Sequence, residues 1–363
     1  MRRFPRPAQW RIPTLLAAVV AAGPLLVAPT AAAQTHHAAR TAFTTVNLVS
    51  DVAGQAPQTD PQVANAWGIA LGPTTPLWVN NQISGVSILF AGGAAGVTKQ
   101  RTVAVPNGLL TGIAFNDSSD FQVTGSGGTQ PARFLFDNLA GQITAWNPTA
   151  TPGDAVVEAS TQGAVYTGLA LWRTPLGNFL LAADFAGGKI DVFDSQFRPV
   201  TLPAGFFSDP AIPAGFTPYN VFTVGADVYV AYAEPSPEGP AVRGPGLGFL
   251  DRFTDFGQRL QRLQRRGVLN APWGLAVAPA SFGQFAGDLL VANLGDGRIT
   301  ALDPRSGRVR GQLRGTDGRP LSIDGLWGIL PGTATTGGAD SLWFSAGPDN
   351  ETHGLVGLIR PAG

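Results

Sequence analysis

The sequence predicts an all-β fold: a six-bladed β-propeller with four antiparallel strands in each blade. A phrase recurs six times along the chain, consisting of an aromatic residue or Thr, a Gly, a short apolar run, a turn and a second apolar run. Its spacing of about fifty residues is typical of propeller blades. Strands such as Gly188–Asp194 alternate apolar and polar residues, and no sustained helical period competes with this pattern.

The repeated phrase locates the first two strands of every blade. The position that is Gly in five of the six phrases falls at Gly68, Gly112, Gly168, Asn220, Gly274 and Gly328. Second strands are predicted at Leu77–Val79, Arg133–Phe136, Phe179–Ala182, Val228–Ala231, Leu289–Ala292 and Leu342–Phe344. The short basic segment Arg259–Arg266 is predicted to be an outer strand with a solvated edge.

Closure of the ring is predicted to use the N-terminal strand. Phe43–Val49 alternates in hydropathy and precedes the first phrase, whereas the last phrase has only Gly354–Ile359 as its third strand. A propeller that does not close leaves a sheet edge exposed. The N-terminal strand therefore supplies the fourth strand of the last blade, and residues 43–363 form one propeller domain.

The N-terminal segment has the pattern of a signal peptide. Four arginines precede or flank an apolar stretch from Ile12 to Thr30, and the small residues Ala31–Ala33 stand before Gln34. Residues 1–33 are predicted to be removed, residues 34–42 to form a flexible mature N-terminus, and no membrane span to remain after cleavage. The protein is expected in the periplasm, at the cell surface or outside the cell.

Composition excludes several classes of chemistry. The net charge is zero, only 13% of residues are charged, and no basic stripe suggests a nucleic-acid partner. The chain contains no cysteine, which excludes thiolate nucleophiles and cysteine-ligated metals. Of the three histidines, only His353 lies in the propeller, so no histidine pair is available there. A metal bound by oxygen ligands is still compatible with this composition.

Several segments resemble an uncharacterised family of exported bacterial β-propellers with NHL-like repeats. They are Asn270–Ala276, Gly287–Val291, Ile323–Gly328 and Ser345–Asp349, together with Asn47–Asp51 near the start. The resemblance covers about residues 43–359. It implies the propeller fold and export, and it brings no established activity.

Several polar residues that are far apart in sequence are predicted to lie together at one end of the propeller. In antiparallel blades, the start of the innermost strand and the end of the second strand lie at the same end. Asn65, Asn220 and Asn270 are predicted to contact a ligand there, and Asp184, Asn293 and Asp324 to bind a metal. Asn80 and Asp137 belong to the same set. These amide and carboxylate oxygens are ligands that calcium favours, although Asn and Asp are also common turn residues.

Two further features belong to this end of the predicted propeller. Trp67, Trp273 and Trp327 stand at the start of innermost strands, where packing as wedges between neighbouring blades is favoured over an exposed aromatic platform. The segment Glu234–Pro245 is a long, proline-rich loop that is either a lid or a tolerated insertion.

The sequence predicts a binding scaffold and identifies no catalytic residue. The expected partner is an extracytoplasmic protein or a small polar ligand, with calcium as the one cofactor suggested. Two alternatives stay open: a calcium-dependent lactonase or esterase, by analogy with other six-bladed propellers, and a structural envelope or matrix protein.

Overall fold

Six small β-sheets, one for each predicted blade, form a ring in the computed structural model, which describes residues 41–237, 241–264 and 267–363. The strands in chain order are β1 (Phe43–Ser50), β2 (Gln58–Thr59), β3 (Ala66–Ala70), β4 (Leu77–Asn81), β5 (Val86–Gly93), β6 (Gly96–Ala104), β7 (Leu110–Phe115), β8 (Gln122–Gly125), β9 (Gly128–Pro131), β10 (Phe134–Asn138), β11 (Gln142–Trp146), β12 (Val156–Ser160), β13 (Tyr166–Thr174), β14 (Gly177–Asp184), β15 (Lys189–Phe193), β16 (Thr217–Val224), β17 (Asp227–Ala233), β18 (Phe249–Phe253), β19 (Arg259–Gln264), β20 (Pro272–Val277), β21 (Leu289–Asn293), β22 (Ile299–Leu302), β23 (Val309–Gln312), β24 (Leu326–Pro331), β25 (Leu342–Ala346) and β26 (Leu355–Pro361).

Each blade is a meander that runs from the centre of the ring outward. Blade 1 is β3–β6, blade 2 is β7 with β10–β12, blade 3 is β13–β15, blade 4 is β16–β19, blade 5 is β20–β23, and blade 6 is β24–β26 with β1. The first strand of every blade contacts the first strand of the next, so these six strands surround the axis. Among the described residues, helix is limited to a 3₁₀ turn at Gly283–Phe285 and one turn, α1, at Pro348–Glu351. No helix in the described part of the chain is long and apolar enough to cross a membrane.

Ring closure follows the prediction. Strand β1 pairs antiparallel with β26, from Phe43 opposite Pro361 to Ser50 opposite Leu355. The Ser50 hydroxyl also donates to the Gly354 carbonyl oxygen at 2.8 Å. The N-terminal strand is thus the fourth strand of blade 6, and the β26 edge that would otherwise be unpaired is covered.

Three blades depart from the regular four-strand pattern. In blade 6 the short strand β2 pairs in parallel with the outer side of β1 as a fifth strand. Blade 3 has three strands, and in place of a fourth the chain turns back so that the Val200 N–H donates to the Val192 carbonyl at 2.8 Å. Blade 2 carries an additional hairpin, β8–β9. The basic segment beginning at Arg259 is the outermost strand of blade 4, β19, in agreement with the prediction.

The glycine of the repeated phrase is explained by close approach between neighbouring innermost strands. A Cβ atom on Gly68 would lie 2.2 Å from the Thr111 carbonyl oxygen of the next blade. One on Gly274 would lie 2.4 Å from the Trp327 carbonyl oxygen. Real Cβ contacts are longer than this, so a side chain at either position would force the two blades apart.

The space between blades is filled by apolar side chains from both neighbours. Between blades 1 and 2, the ring of Trp78 stacks on Phe134 with centroids 4.1 Å apart and meets Trp146 at 4.9 Å. Burial of a large apolar side chain stabilises a fold by about 1.5–3 kcal/mol, and a favourable aromatic pair adds about 0.5–1.5 kcal/mol. Packing between blades, rather than one central core, therefore holds the ring together.

Candidate functional site

The two ends of the central channel differ. We define the plug end as the end where the innermost strands begin, and the open end as the end where they finish. At the plug end the axis is occupied by Trp67, Trp273, Trp327 and Tyr219, all buried. Trp67 stacks on Trp327 at 3.7 Å and meets Trp273 edge-on at 6.2 Å. Blades 1 and 5 are not neighbours, so the contact between Trp67 and Trp273 crosses the axis.

Hydrogen bonds fix two of the indole rings. The Trp327 indole N–H donates to the Asn65 side-chain oxygen at 2.8 Å, and the Trp273 indole N–H donates to the Thr167 carbonyl oxygen at 2.7 Å. The predicted packing between neighbouring blades holds for Trp67 and Trp327, which stack, and for Trp273 and Trp327, whose ring centroids are 5.8 Å apart. The three residues also pack on one another over the axis. They do so because each stands at the start of an innermost strand, the part of its blade nearest the axis. Their burial leaves no exposed aromatic platform.

The three asparagines predicted to bind a ligand are buried in hydrogen bonds of the fold. Asn65 accepts from Trp327, and its backbone has φ of 47°, a left-handed conformation that Asn tolerates better than most residues. Asn220 donates from its amide to the Trp273 carbonyl at 3.1 Å. The Asn270 side-chain oxygen accepts from the Gly244 N–H at 2.7 Å. Each amide links two elements of the plug end.

The three residues predicted to bind a metal have separate surroundings. Asp184 is buried, and its Oδ1 accepts from the Val165 N–H at 3.1 Å and the Gly187 N–H at 2.9 Å. The Asn293 side-chain oxygen accepts from the Asn270 N–H at 3.0 Å. Asp324 is exposed and accepts from the Asp349 N–H at 2.9 Å. Within the described ranges, no three His, Cys, Asp or Glu side chains are grouped so that they could hold a metal ion.

A polar position near the end of the second strand ties blades together. In blade 1, the Asn80 amide donates to the Gly112 carbonyl of blade 2 at 2.9 Å. Ser345 in blade 6 accepts from the Gly328 N–H of its own blade at 3.0 Å and donates to the Trp67 carbonyl of blade 1. Sequence reasoning missed Ser345, although its register in the strand is that of Asn80.

Asp137 occupies this same position in blade 2 and is the charged member of the set. Its Oδ1 accepts from the Thr111 hydroxyl at 2.7 Å and from the Gly112 N–H. Its other oxygen is buried and has no hydrogen-bond partner among the described residues. Burial raises the pKa of Asp137 to about 6, against the lowering effect of these hydrogen bonds.

The long loop from blade 4 is attached to the plug end. Arg243 pairs with Glu351 of helix α1, and Ala241 is buried in the aromatic cluster. Burial raises the pKa of Glu351, and the Arg243 guanidinium opposes that change. Residues 238–240 of the predicted loop lie outside the described residues. The segment's two described ends are thus fixed to the fold by backbone and side-chain bonds.

His353, the one histidine predicted to lie in the propeller, is held by Asp51 near the ring closure. Its Nδ1 lies 3.0 Å from Asp51 Oδ2, and the other Asp51 oxygen accepts from the Gly354 N–H at 2.8 Å. The Asp51 carboxylate therefore joins the chain after β1 to the chain before β26.

A second charged cluster, which sequence reasoning missed, lies in blade 4. Arg262 of β19 pairs with Asp209 and lies 3.4 Å from Asp251 Oδ1. Burial raises the pKa of Asp251 to about 7, with a further contribution from Asp209. Asp209 belongs to the long connection between blades 3 and 4, and the cluster fastens that connection to outer strands. No sequence spacing brings these residues together, because the contact spans 53 residues.

The open end of the channel contains a cavity of about 230 Å³. Its floor includes Trp273 of the plug, and its wall consists of the innermost strands of all six blades. The wall is mainly apolar, with side chains such as Ile113, Leu171 and Leu275. Thr223 and Asn220, one of the residues predicted to contact a ligand, are polar exceptions. Among the described residues that line the cavity, Arg173 is the one charged side chain.

The rim of the open end combines exposed apolar and charged side chains. Leu176, at the tip of the β13–β14 hairpin, is 83% exposed, and Val277 at the end of β20 is 37% exposed. Arg173 pairs with Asp117, and both side chains are more than half exposed. The Arg133 guanidinium lies 4.9 Å from the centre of the Phe115 ring. Exposed apolar side chains around a concave site are typical of binding surfaces.

The architecture places the chain among the six-bladed β-propellers, and a solved structure supports the fold. A chain of the structure "COPII on membranes, outer coat vertex" aligns with a TM-score of 0.53 and 12% identity, over 88% of this chain and 77% of that one. At this identity the likeness concerns the fold alone. No model of a known family matches the sequence.

Two curated relatives identify the family. "Uncharacterized protein R648" of Acanthamoeba polyphaga mimivirus is 37% identical over 324 residues, which cover 86% of this chain and 78% of the relative. "Uncharacterized protein L690" of the same virus is 34% identical over 324 residues, covering 86% and 84%. The chain belongs to the family of these relatives. A bacterial source, NHL-like repeats and export stay predictions of the resemblance.

Proposed function

We propose that the protein is an exported binding scaffold whose ligand enters the central channel from the open end. The observation that carries this proposal is the cavity of about 230 Å³, which has a mainly apolar wall and a floor that includes the buried Trp273. Ligand sites in proteins are concave and mainly apolar, with few polar groups. The cavity is small by that standard, so the expected occupant is a small apolar ligand or the apolar part of a larger one.

The predicted ligand end and the proposed ligand end differ, although Asn220 of the predicted set also lines the cavity. At the plug end, the side chains of Asn65, Asn220 and Asn270 already bond to the fold. At the open end, the innermost strands leave unfilled space. An apolar ligand gains about 0.8 kcal/mol for each methylene group removed from water, which favours the unfilled end.

A neutral fluorescent probe tests the cavity directly. N-phenyl-1-naphthylamine is expected to bind the purified protein with enhanced emission, and Thr223→Phe is expected to abolish binding by filling the cavity. Thr98→Phe is the matched control, since it makes the same substitution at an exposed position of the outer strand β6, away from the cavity. Undiminished binding to the Thr223 variant, or no binding to the parent, would refute the proposal.

Export is the second part of the proposal. Its support is the sequence pattern of residues 1–33, which lie outside the described residues, as does the segment 34–40. The exported protein is expected to begin at or near Gln34. Intact-mass measurement of protein recovered outside the cytoplasm decides this, and a product that retains Met1 would contradict it.

Calcium binding by Asp184, Asn293 and Asp324 stays a proposal from their ligand chemistry. Calorimetric titration of chelated protein with calcium is expected to give heat, with weaker binding in Asp184→Ala and Asp324→Ala. Because Asp184 also bonds to two backbone N–H groups, its variant needs a parallel melting curve. The absence of heat in the parent, or unchanged affinity in both variants, would remove calcium from the proposal.

A further inference from the structure

We propose that the channel cavity takes amphipathic anions, with the apolar part inside the channel and a carboxylate against Arg173. This inference rests on the proposed function and adds the ligand's charge and polarity. Its basis is the composition of the cavity wall, in which Arg173 is the one charged side chain among the described lining residues. The rest of the wall is made mainly of aliphatic side chains and strand backbone.

The position of Arg173 follows from the length of its strand. Strand β13 has nine residues, whereas the innermost strands of blades 1, 2, 5 and 6 have five or six. The additional residues extend the β13–β14 hairpin beyond the point where the innermost strands of those four blades finish. Arg173 therefore stands at the mouth, where an aliphatic tail in the channel would leave its polar head.

The existing partner of Arg173 can be displaced by a ligand. Arg173 pairs with Asp117, and the two side chains are 51% and 57% exposed. Exposed ion pairs contribute little free energy, with a median of about 0–1 kcal/mol. A ligand carboxylate held by apolar contacts in the channel competes with Asp117 from a fixed position, and a bidentate bond to the guanidinium is the geometry that Arg favours.

Other charged side chains at this rim would repel or attract a bound anion. Asp120 is half-buried and accepts from the Asn178 amide at 2.8 Å, and Asp117 is the negative group nearest Arg173. Arg133 lies over the Phe115 ring and has no ion pair with another described residue. Phe115 lines the cavity, whereas Asp117 and Asp120 do not, so the positive charge is the one in contact with the cavity.

Displacement of the neutral probe by three eight-carbon compounds tests which ligand charge the cavity prefers. Octanoate is expected to bind about tenfold more tightly than octanol, and octylamine more weakly than octanol. Hexanoate is expected to bind roughly sixteenfold more weakly than octanoate, because each methylene group contributes roughly a factor of four. Tighter binding of octylamine than octanoate would overturn the proposal.

Three variants locate the effect. Arg173→Gln is expected to weaken octanoate about tenfold and to change octanol less than about twofold. Asp117→Asn is expected to strengthen octanoate, because it removes the competing carboxylate. Arg319→Gln is the matched control, since Arg319 also faces an exposed aspartate, Asp317, in a turn outside the cavity wall.

The outcomes separate this inference from the proposed function. If octanol and octanoate bind equally, and both are lost in Thr223→Phe, the channel binds apolar ligands and the assignment to Arg173 is wrong. If neither compound displaces the probe, or the probe itself does not bind, the cavity is not the binding site and both proposals fail. Equal effects of Arg173→Gln and Arg319→Gln would also overturn the role of Arg173.

Discussion

The two ends of one channel use the same six strands in opposite ways. At the plug end, Trp67, Trp273 and Trp327 fill the axis, and polar side chains such as Asn65 hold them. At the open end, the same strands leave a cavity and carry Leu176 and Arg173 into solvent. The difference shows that a polar residue at the end of a blade is not by itself evidence of a ligand-binding site. What matters is whether the neighbouring space is already filled.

The largest expected effect is loss of the plug. Trp327→Ala removes a ring that stacks on Trp67 and leaves the Asn65 oxygen without its donor. We expect a loss of about 3–5 kcal/mol in the free energy of unfolding, measured with urea. A loss below about 1 kcal/mol would mean that the plug end tolerates a cavity as well as the open end does.

The second largest expected effect is a pH dependence of the free energy of unfolding, caused by the Asp137 carboxylate near the plug end. The pKa of Asp137 is raised to about 6 from the ordinary value of 3.8, so the folded protein holds this proton more strongly than the unfolded chain. Protonation of Asp137 therefore stabilises the folded protein by about 3 kcal/mol below about pH 4. This stabilisation is lost as pH rises through 6.

Asp137→Asn is expected to remove that part of the pH dependence and to exceed the parent in stability at pH 8. Asn80 already serves in the same register of blade 1, where its amide donates to the next blade. Asp251, whose pKa is also raised, contributes a slope of the same sign to both proteins, so the difference between them isolates Asp137. Asp317→Asn, at an exposed turn, is the control, and identical slopes in parent and Asp137 variant would contradict the assignment.

A smaller effect separates the two roles of Asn65. Asn65→Ala removes the acceptor for a buried indole N–H and places Ala at φ of 47°, with an expected loss of about 2 kcal/mol or more. Asn65→Gly removes the acceptor but relieves the backbone, so it is expected to lose less. Chemical unfolding of both variants decides this. If Asn65→Ala matched the parent in stability, the bond to Trp327 would not stabilise the plug.

The smallest effect is expected at the open end. Leu176→Ser changes a side chain that is 83% exposed, and such surface changes usually alter stability by less than about 0.5 kcal/mol. A larger loss in a melting curve would show that the hairpin tip packs against the fold. The two ends would then differ less than their burial indicates.

Much of the fold could be predicted from sequence because the repeat has a physical cause. The phrase around Gly68 and Gly274 marks the points where neighbouring strands approach too closely for a Cβ atom. The site was harder to predict, because Asn65 and Asp184 are residue types that bind ligands, and in this fold the side chains of both also accept hydrogen bonds within the propeller. Arg173 can be recognised as a candidate binding residue only when the cavity wall is known. The contact between Asp209 and Arg262 depends on the path of the long connection between blades 3 and 4, which the sequence does not reveal.

The pairing of β1 with β26 has a consequence for the order of synthesis. Ser50 and Gly354 are 304 residues apart in sequence, yet they share a hydrogen bond. The closing strand leaves the ribosome among the first residues of the propeller, and its partner is made among the last. Contacts between residues so distant in sequence form slowly. Until the partner strand is made, the β1 strand has no neighbour to pair with, and its unpaired edge is prone to aggregation.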